Sequence, residues 1–262
     1  MRAIAVRRTT LAATAASLAL LVTACGGSDA GSGSAGKGDG AASGAGSGSA
    51  EPAVKALTAA ELEKASLEQG DVAGHKVTKA GAKDLVRPED VTVDKEECEP
   101  FGLAYAGAKR GTPVATAGRQ VVQEPKKGAG TDPEDIMKAA FDVTSTLVTL
   151  ASYEGDGAVK SVAELRDSAA ACAAGGFTVT IKGDKTKIAE LAEEKVSGGE
   201  ENVAWTVRAE QDGTKTPLKL VSLRQGGTVG TFFAVNLGVV ASGKADFDMP
   251  SDVVAAQVKK LG

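Results

Sequence analysis

Few side chains in this sequence can carry covalent chemistry. Its 262 residues include three cysteines and a single histidine. The histidine, His75, follows Asp71-Val72-Ala73-Gly74 and reads as a solvated turn residue after a helix. A Ser-His-Asp or Cys-His mechanism needs a base to take the nucleophile's proton, and His75 is the sole imidazole available for it. No H-E-x-x-H, Cys/His cluster or calcium-loop pattern supplies metal ligands. Carboxylates crowd in two places: Asp94, Glu96, Glu97 and Glu99 around Cys98, and Asp246 and Asp248 on either side of Phe247. Paired carboxylates can hydrolyse glycosides. Such sites usually bring aromatic platforms, however, and this sequence has only one Trp, two Tyr and six Phe. The acidic runs therefore read as solvated faces. The expectation is a chain that is not an enzyme and uses no cofactor and no metal.

The first cysteine, Cys25, has a different context. Arg2, Arg7 and Arg8 form a positive segment, and Leu11 to Ala24 form an uncharged, mostly apolar run ending in small residues. These are the regions of an export signal, and the apolar run is shorter than the roughly 20 residues a spanning helix needs. Val22-Thr23-Ala24-Cys25 resembles a lipobox. That resemblance implies cleavage before Cys25, a diacylglyceryl group on its thiol, and anchoring at the outer face of the cytoplasmic membrane. Arg7-Arg8-Thr9-Thr10-Leu11 also loosely resembles a twin-arginine export signal, so the export route stays open.

Residues 26–50 contain only Gly, Ser, Ala, Asp and Lys, ten of them Gly. Such a segment has no apolar face with which to offset chain entropy, so it is expected to be a tether with a reach of roughly 28 Å. Gly31, Gly33 and Gly36 spell a dinucleotide-type motif within it, but no strand precedes them and composition alone accounts for the match. The expected organisation is a signal peptide over residues 1–24, the lipidated cysteine and tether over 25–50, and one extracytoplasmic domain over 51–262. Residues 1–24 hold three arginines and no acid, which leaves 27 basic residues facing 34 acidic ones. That balance excludes nucleic acid as a partner, since phosphate is bound through neutralising cations.

Within the domain, Thr58 and Glu61 spell a capping box flanked by Leu57 and Leu62, which predicts a helix over 59–69 stopping at Gly70. Val162, Leu165, Ala169 and Cys172 recur at helical spacing and predict a helix over 157–174 with Cys172 on its buried face. Ser251 is placed to cap a last helix striped by Val254, Val258 and Leu261. Between these the period falls to two, predicting strands over 144–153, 177–181, 203–209, 218–223 and 229–237. Asp212-Gly213 and Gly226-Gly227 are turn signals that join the last three strands into an antiparallel meander. Lys185 to Val196 is ambiguous, and its Ala, Leu, Glu and Lys content tips it towards a helix. The fold class is α+β, an antiparallel sheet flanked by helices. With Cys25 lipidated, Cys98 and Cys172 are an even pair in an oxidising compartment, which predicts a disulfide in preference to two buried thiols.

The order of these features is similar to that of the extracellular sensor domain of mycobacterial membrane Ser/Thr kinases and of related actinobacterial lipoproteins. It rests on the Gly70 to Gly74 turn, the Cys98-Glu99-Pro100 segment, the strand ending at Tyr153, the helix ending in Cys172-Ala173-Ala174-Gly175-Gly176-Phe177, the late meander and the terminal helix. The resemblance implies a ligand cleft and matches Cys172 and Cys98 to cysteines of that family. The sequence departs from it in lacking a second cysteine pair, and neither a kinase domain nor a membrane-spanning helix is expected.

Three functions fit these features. One is a ligand-binding or sensory domain with its cleft between the sheet and the 157–174 helix. Another is a lipid or glycolipid carrier, whose cavity would be lined by Val203, Trp205, Val207, Phe233 and Val235, residues that read more simply as core. A third is an adaptor with an exposed apolar patch. The partners expected are the membrane, through the lipid on Cys25, and an unidentified small molecule, lipid or envelope protein.

Overall fold

The computed structural model describes residues 54–81, 83–125, 132–211 and 213–262. The segments read as an export signal, a lipobox at Cys25 and a tether lie outside the described residues, as does Asp212.

The chain builds a nine-stranded sheet in which every neighbouring pair is antiparallel. The first half supplies β1 (His75–Lys79), β2 (Val91–Val93), β3 (Ala115–Gln123) and β4 (Thr144–Ser152). The second half supplies β5 (Phe177–Ile181), β6 (Asp184–Glu194), β7 (Glu201–Gln211), β8 (Thr214–Gln225) and β9 (Thr228–Asn236). Their order across the sheet is β1-β3-β4-β9-β8-β7-β6-β5-β2, so the meander β7-β8-β9 sits near the centre as its turn signals predict. Six helices accompany them: α1 (Ala59–Lys64), α2 (Glu99–Tyr105), α3 (Pro133–Phe141), α4 (Gly157–Ala173), α5 (Leu237–Ser242) and α6 (Ser251–Leu261).

Alternation along the strands divides the interior into two cores. On one face Trp205, Val207 and Leu220 meet α2 and α4, with Phe101 of α2 edge-on to Trp205 at 5.4 Å between ring centroids. On the other, Val148, Val221 and Phe232 meet Leu62 of α1 and Val253 and Val254 of α6. Val162, Leu165, Ala169 and Cys172 are all buried, so the face of α4 read from the sequence is the one that packs.

Three expectations about these elements need correction. Ser251 is the first residue of α6 rather than its cap; Pro250 stands at the N-cap position and no side chain caps the helix. Lys185 to Val196 is not helical; Asp184–Glu194 is β6, paired with β5 and β7. The register shifts between Ile188 and Glu190, so Ile188 still faces Ala209 while Leu191 faces Val207. This bulge puts both apolar residues on the α4 face, although a regular strand would separate residues three apart. The same spacing of three imitates a helix in the sequence. The helix predicted over 59–69 ends at Lys64. Beyond it the side chain of Gln257, on α6, takes over the backbone, accepting from Leu67 N at 3.2 Å and donating to Ala65 O at 2.6 Å. Arg119 Nε donates to Leu67 O at 2.7 Å. Peptide groups satisfied from elsewhere in the fold gain nothing by continuing the helix.

Candidate functional site

Cys98 and Cys172 form the expected disulfide, with Cα atoms 5.8 Å apart, joining the start of α2 to the end of α4. Both residues are buried. The crosslink spans 74 residues of sequence. Closing a loop of that length stabilises the fold by on the order of 4 kcal/mol in the chain-entropy account.

Of the other residues singled out in the sequence, His75, Asp94 and Asp246 have side-chain partners, whereas Glu96, Glu97, Glu99 and Asp248 form no side-chain hydrogen bond or ion pair among the described residues. His75 is not a solvated turn residue. It opens β1, is 8% exposed, and its Nδ1 lies 3.0 Å from Ala73 O while Nε2 lies 3.6 Å from a carboxylate oxygen of Asp252. Asp94 accepts a hydrogen bond from Thr178 N at 2.8 Å, which ties β2 to β5. Asp246 pairs with Lys219 at 2.8 Å. The carrier residues Val203, Trp205 and Val207 are buried in the α4-side core, with Phe233 and Val235 packed against it. None of the five lines either of the two cavities described below.

Three cations lie buried among the described residues, and their surroundings differ. Lys219, on β8, has a side chain 3% exposed, flanked by Asp246 at 2.8 Å and Glu194 at 3.5 Å, and it donates to Thr206 Oγ1 at 2.6 Å. Arg119, on β3, donates to Glu63 at 2.9 Å and to the carbonyls of Leu67 and Gly118. Those bonds, from Arg119 first and then Lys79, hold the Glu63 carboxyl below the ordinary range. Arg110 has no such company. It is 5% exposed and, among the described residues, forms no ion pair. NH1 reaches Thr231 Oγ1 at 3.4 Å and NH2 reaches Ser222 Oγ at 3.3 Å, both longer than a good hydrogen bond, and Nε has no partner. Burial pulls the guanidinium below its ordinary range, opposed by charge interactions with Tyr153 and Glu164. An arginine does not deprotonate in a protein, so this charge remains in the fold.

Local structure explains how Arg110 comes to be there. After α2 the chain reverses at Gly107, whose φ of +66° is the left-handed conformation of a helix C-terminus. Ala108 N donates to Leu103 O at 2.9 Å. A Cβ at Gly107 would lie 2.9 Å from Leu147 Cδ2 on β4, so a larger residue there would also have to displace that side chain. The Tyr153 hydroxyl then donates to Arg110 O at 2.8 Å and fixes the residue over the sheet.

Arg110 lines a cavity of about 140 Å³. Its floor is β3, β4 and β9, presenting Thr149, Ala151, Val229 and Thr231; Leu85, Val86 and Pro88 lie on the loop side. The lining is largely apolar; its polar points are the Arg110 guanidinium, a few hydroxyls and, exposed at its border, Arg87 and Lys109. The cavity is on the same sheet face as α4, but no α4 residue lines it. The cleft expected between the sheet and that helix is instead filled by the Phe101, Trp205 and Leu165 core. Nothing in the sequence marks Arg110, because Lys109-Arg110-Gly111 reads as an ordinary basic turn.

A second depression, about 690 Å³, lies between the ends of β1, β3, β4 and β9 and the segment 244–253. Its polar groups largely serve the fold: Asn236 Oδ1 accepts from Val239 N at 2.8 Å and Asn236 Nδ2 donates to Thr144 Oγ1 at 3.1 Å.

No family model and no curated protein matches the chain. Among solved structures it is similar to the extracellular domain of PknH from Mycobacterium tuberculosis, at 15% sequence identity and a TM-score of 0.46. The match covers 79% of this chain and 98% of that one. At those values it is a distant likeness of architecture. Among the described residues no helix is long and apolar enough to cross a membrane.

Proposed function

We propose that the domain binds a small ligand outside the cytoplasmic membrane, to which a lipid on Cys25 tethers the chain. The observation that carries the binding reading is the cavity over β3, β4 and β9, because an apolar pocket with a few convergent polar groups is the usual form of a small-molecule site. The extracytoplasmic reading is supported by the export signal and lipobox at Cys25, and by the buried Cys98–Cys172 bond, which belongs to an oxidising compartment. The test is native mass spectrometry of the full chain extracted from bacterial membranes. A bound mass that leaves on unfolding is expected. An apo mass, together with a melting temperature that no small-molecule library shifts, would sink the binding reading. Cys25→Ala should move the protein from the membrane to the soluble fraction, and its continued membrane retention would remove the lipid anchor.

An adaptor role has one observation of its own. Ile136, Met137 and Phe141 of α3 and Leu237 and Val240 of α5 are exposed apolar side chains on two helices that touch. Charged substitutions at Met137 and Phe141 that abolish a cross-linked envelope partner, while leaving ligand binding intact, would favour that role.

A further inference from the structure

The cavity's chemistry narrows the class of ligand, an inference that rests on the binding reading above. A buried charge needs a counter-charge or it costs several kcal/mol. Lys219 and Arg119 each have carboxylates from the chain itself, whereas Arg110 has two long contacts to hydroxyls and an unpartnered Nε. The guanidinium fork is shaped to take a carboxylate through two parallel N–H donors. Both hydroxyl oxygens accept from Arg110, and of the two Thr231 lines the cavity, where its own O–H is left to donate to an anion beside the guanidinium. On the other side Leu85, Val86, Ala151 and Val229 offer hydrocarbon contact. Lys109 and Arg87 also border the cavity, but both are exposed, and Arg87 is paired with Asp90 at 2.9 Å.

We infer that the cavity binds a small apolar monocarboxylate, its carboxylate on Arg110 and its hydrocarbon body against Leu85, Val86, Ala151 and Val229. One negative charge neutralises the site, while a phosphate dianion would leave a net charge in an apolar pocket. The volume of about 140 Å³ is close to the roughly 150 Å³ known to admit benzene. That sets the ligand's scale at a benzoate or a short branched or straight-chain acid.

The test uses the full chain in detergent and reads thermal stability and calorimetric binding with sodium acetate, butyrate and benzoate. The neutral isostere benzamide and sodium chloride at matched ionic strength serve as references. Butyrate or benzoate is expected to raise the melting temperature and bind saturably, with benzamide and chloride inactive. Arg110→Met is expected to weaken that binding by about 30-fold or more. It should leave the unliganded protein at least as stable as wild type, so a loss of binding is not a loss of fold. Arg110→Lys, which keeps the charge without the fork, should fall between the two. Benzamide binding as well as benzoate, or acid binding surviving in Arg110→Met, would leave a ligand site but overturn the anion assignment. An equal effect from chloride would overturn the carboxylate class. No response to any probe would overturn the assignment and weaken the binding reading with it.

Discussion

The two faces of the sheet each bury cationic side chains and treat them differently. On the α1/α6 face, Lys219 is enclosed by Asp246, Glu194 and Thr206, and Arg119 by Glu63 and two carbonyls. These charges hold segments together: Lys219 pins the 243–250 connection to the sheet, and Arg119 holds the chain that leaves α1. On the α2/α4 face the Arg110 guanidinium meets no carboxylate and reaches only the hydroxyls of Thr231 and Ser222. The proposed anion site rests on this contrast: the chain pairs two of its buried cations with carboxylates, and the third, beside the cavity, has two long contacts to hydroxyls and an unpartnered Nε.

The largest way to break this contrast is to loosen one face. The Cys98–Cys172 bond lies wholly on the α2/α4 side, and its removal by Cys98→Ala with Cys172→Ala should cost on the order of 4 kcal/mol. Hydrogen exchange should then rise first in α2 and α4 while β8 and α6 stay protected; uniform exchange would show that the two faces unfold as one unit. Next in size is the creation of a second lone cation. Glu194→Gln with Asp246→Asn strips Lys219 of both carboxylates. Since those acids are partly exposed, the loss should be about 2 kcal/mol rather than the full penalty of a buried pair, read as a lower denaturant midpoint.

Arg110→Met should act in the opposite direction. Replacing an uncompensated buried charge with an apolar side chain is expected to stabilise the unliganded domain by about 1 kcal/mol. If it destabilises instead, the contacts to Thr231 and Ser222 matter to the fold and the contrast between the faces fails.

The smallest effect is one of pH. Burial acts to raise the Asp246 carboxyl, but the hydrogen bond from Lys219, with a smaller one from Phe247 N, leaves it below the ordinary carboxylate range. A depressed folded-state value means that the stabilisation is present above the unfolded carboxylate range and is lost as pH falls through the folded value. Acidification below about pH 4 should therefore loosen residues 243–250 before the rest of the domain. The Arg110 guanidinium does not titrate and should itself contribute no matching transition.

Much of the architecture was legible in the sequence because its periods are clean. Thr144–Ser152, Phe177–Ile181 and Thr228–Asn236 coincide with predicted strands to within a residue, and Gly157–Ala173 with the predicted helix. The turn glycines joined the meander correctly. Other parts gave no signal of that kind. The short β1 and β2, and the seven residues of α2 with Pro100 in the first turn, offer too few periods to read. The bulge in β6 shifts the alternation by one residue and so resembles a helix in one dimension.

What the sequence determined by itself is local: capping chemistry at Thr58, apolar periods in strands and helices, and an even pair of cysteines that closed as expected. What only the tertiary structure decided depends on groups far apart in the chain. Leu67 leaves its helix because Gln257, 190 residues away, takes its amide. Arg110 is left without a carboxylate because the groups it meets, Ser222 and Thr231, lie 112 and 121 residues further on and carry no charge. Whether a cation is paired depends on what surrounds it in three dimensions, and no period or spacing in one dimension encodes that.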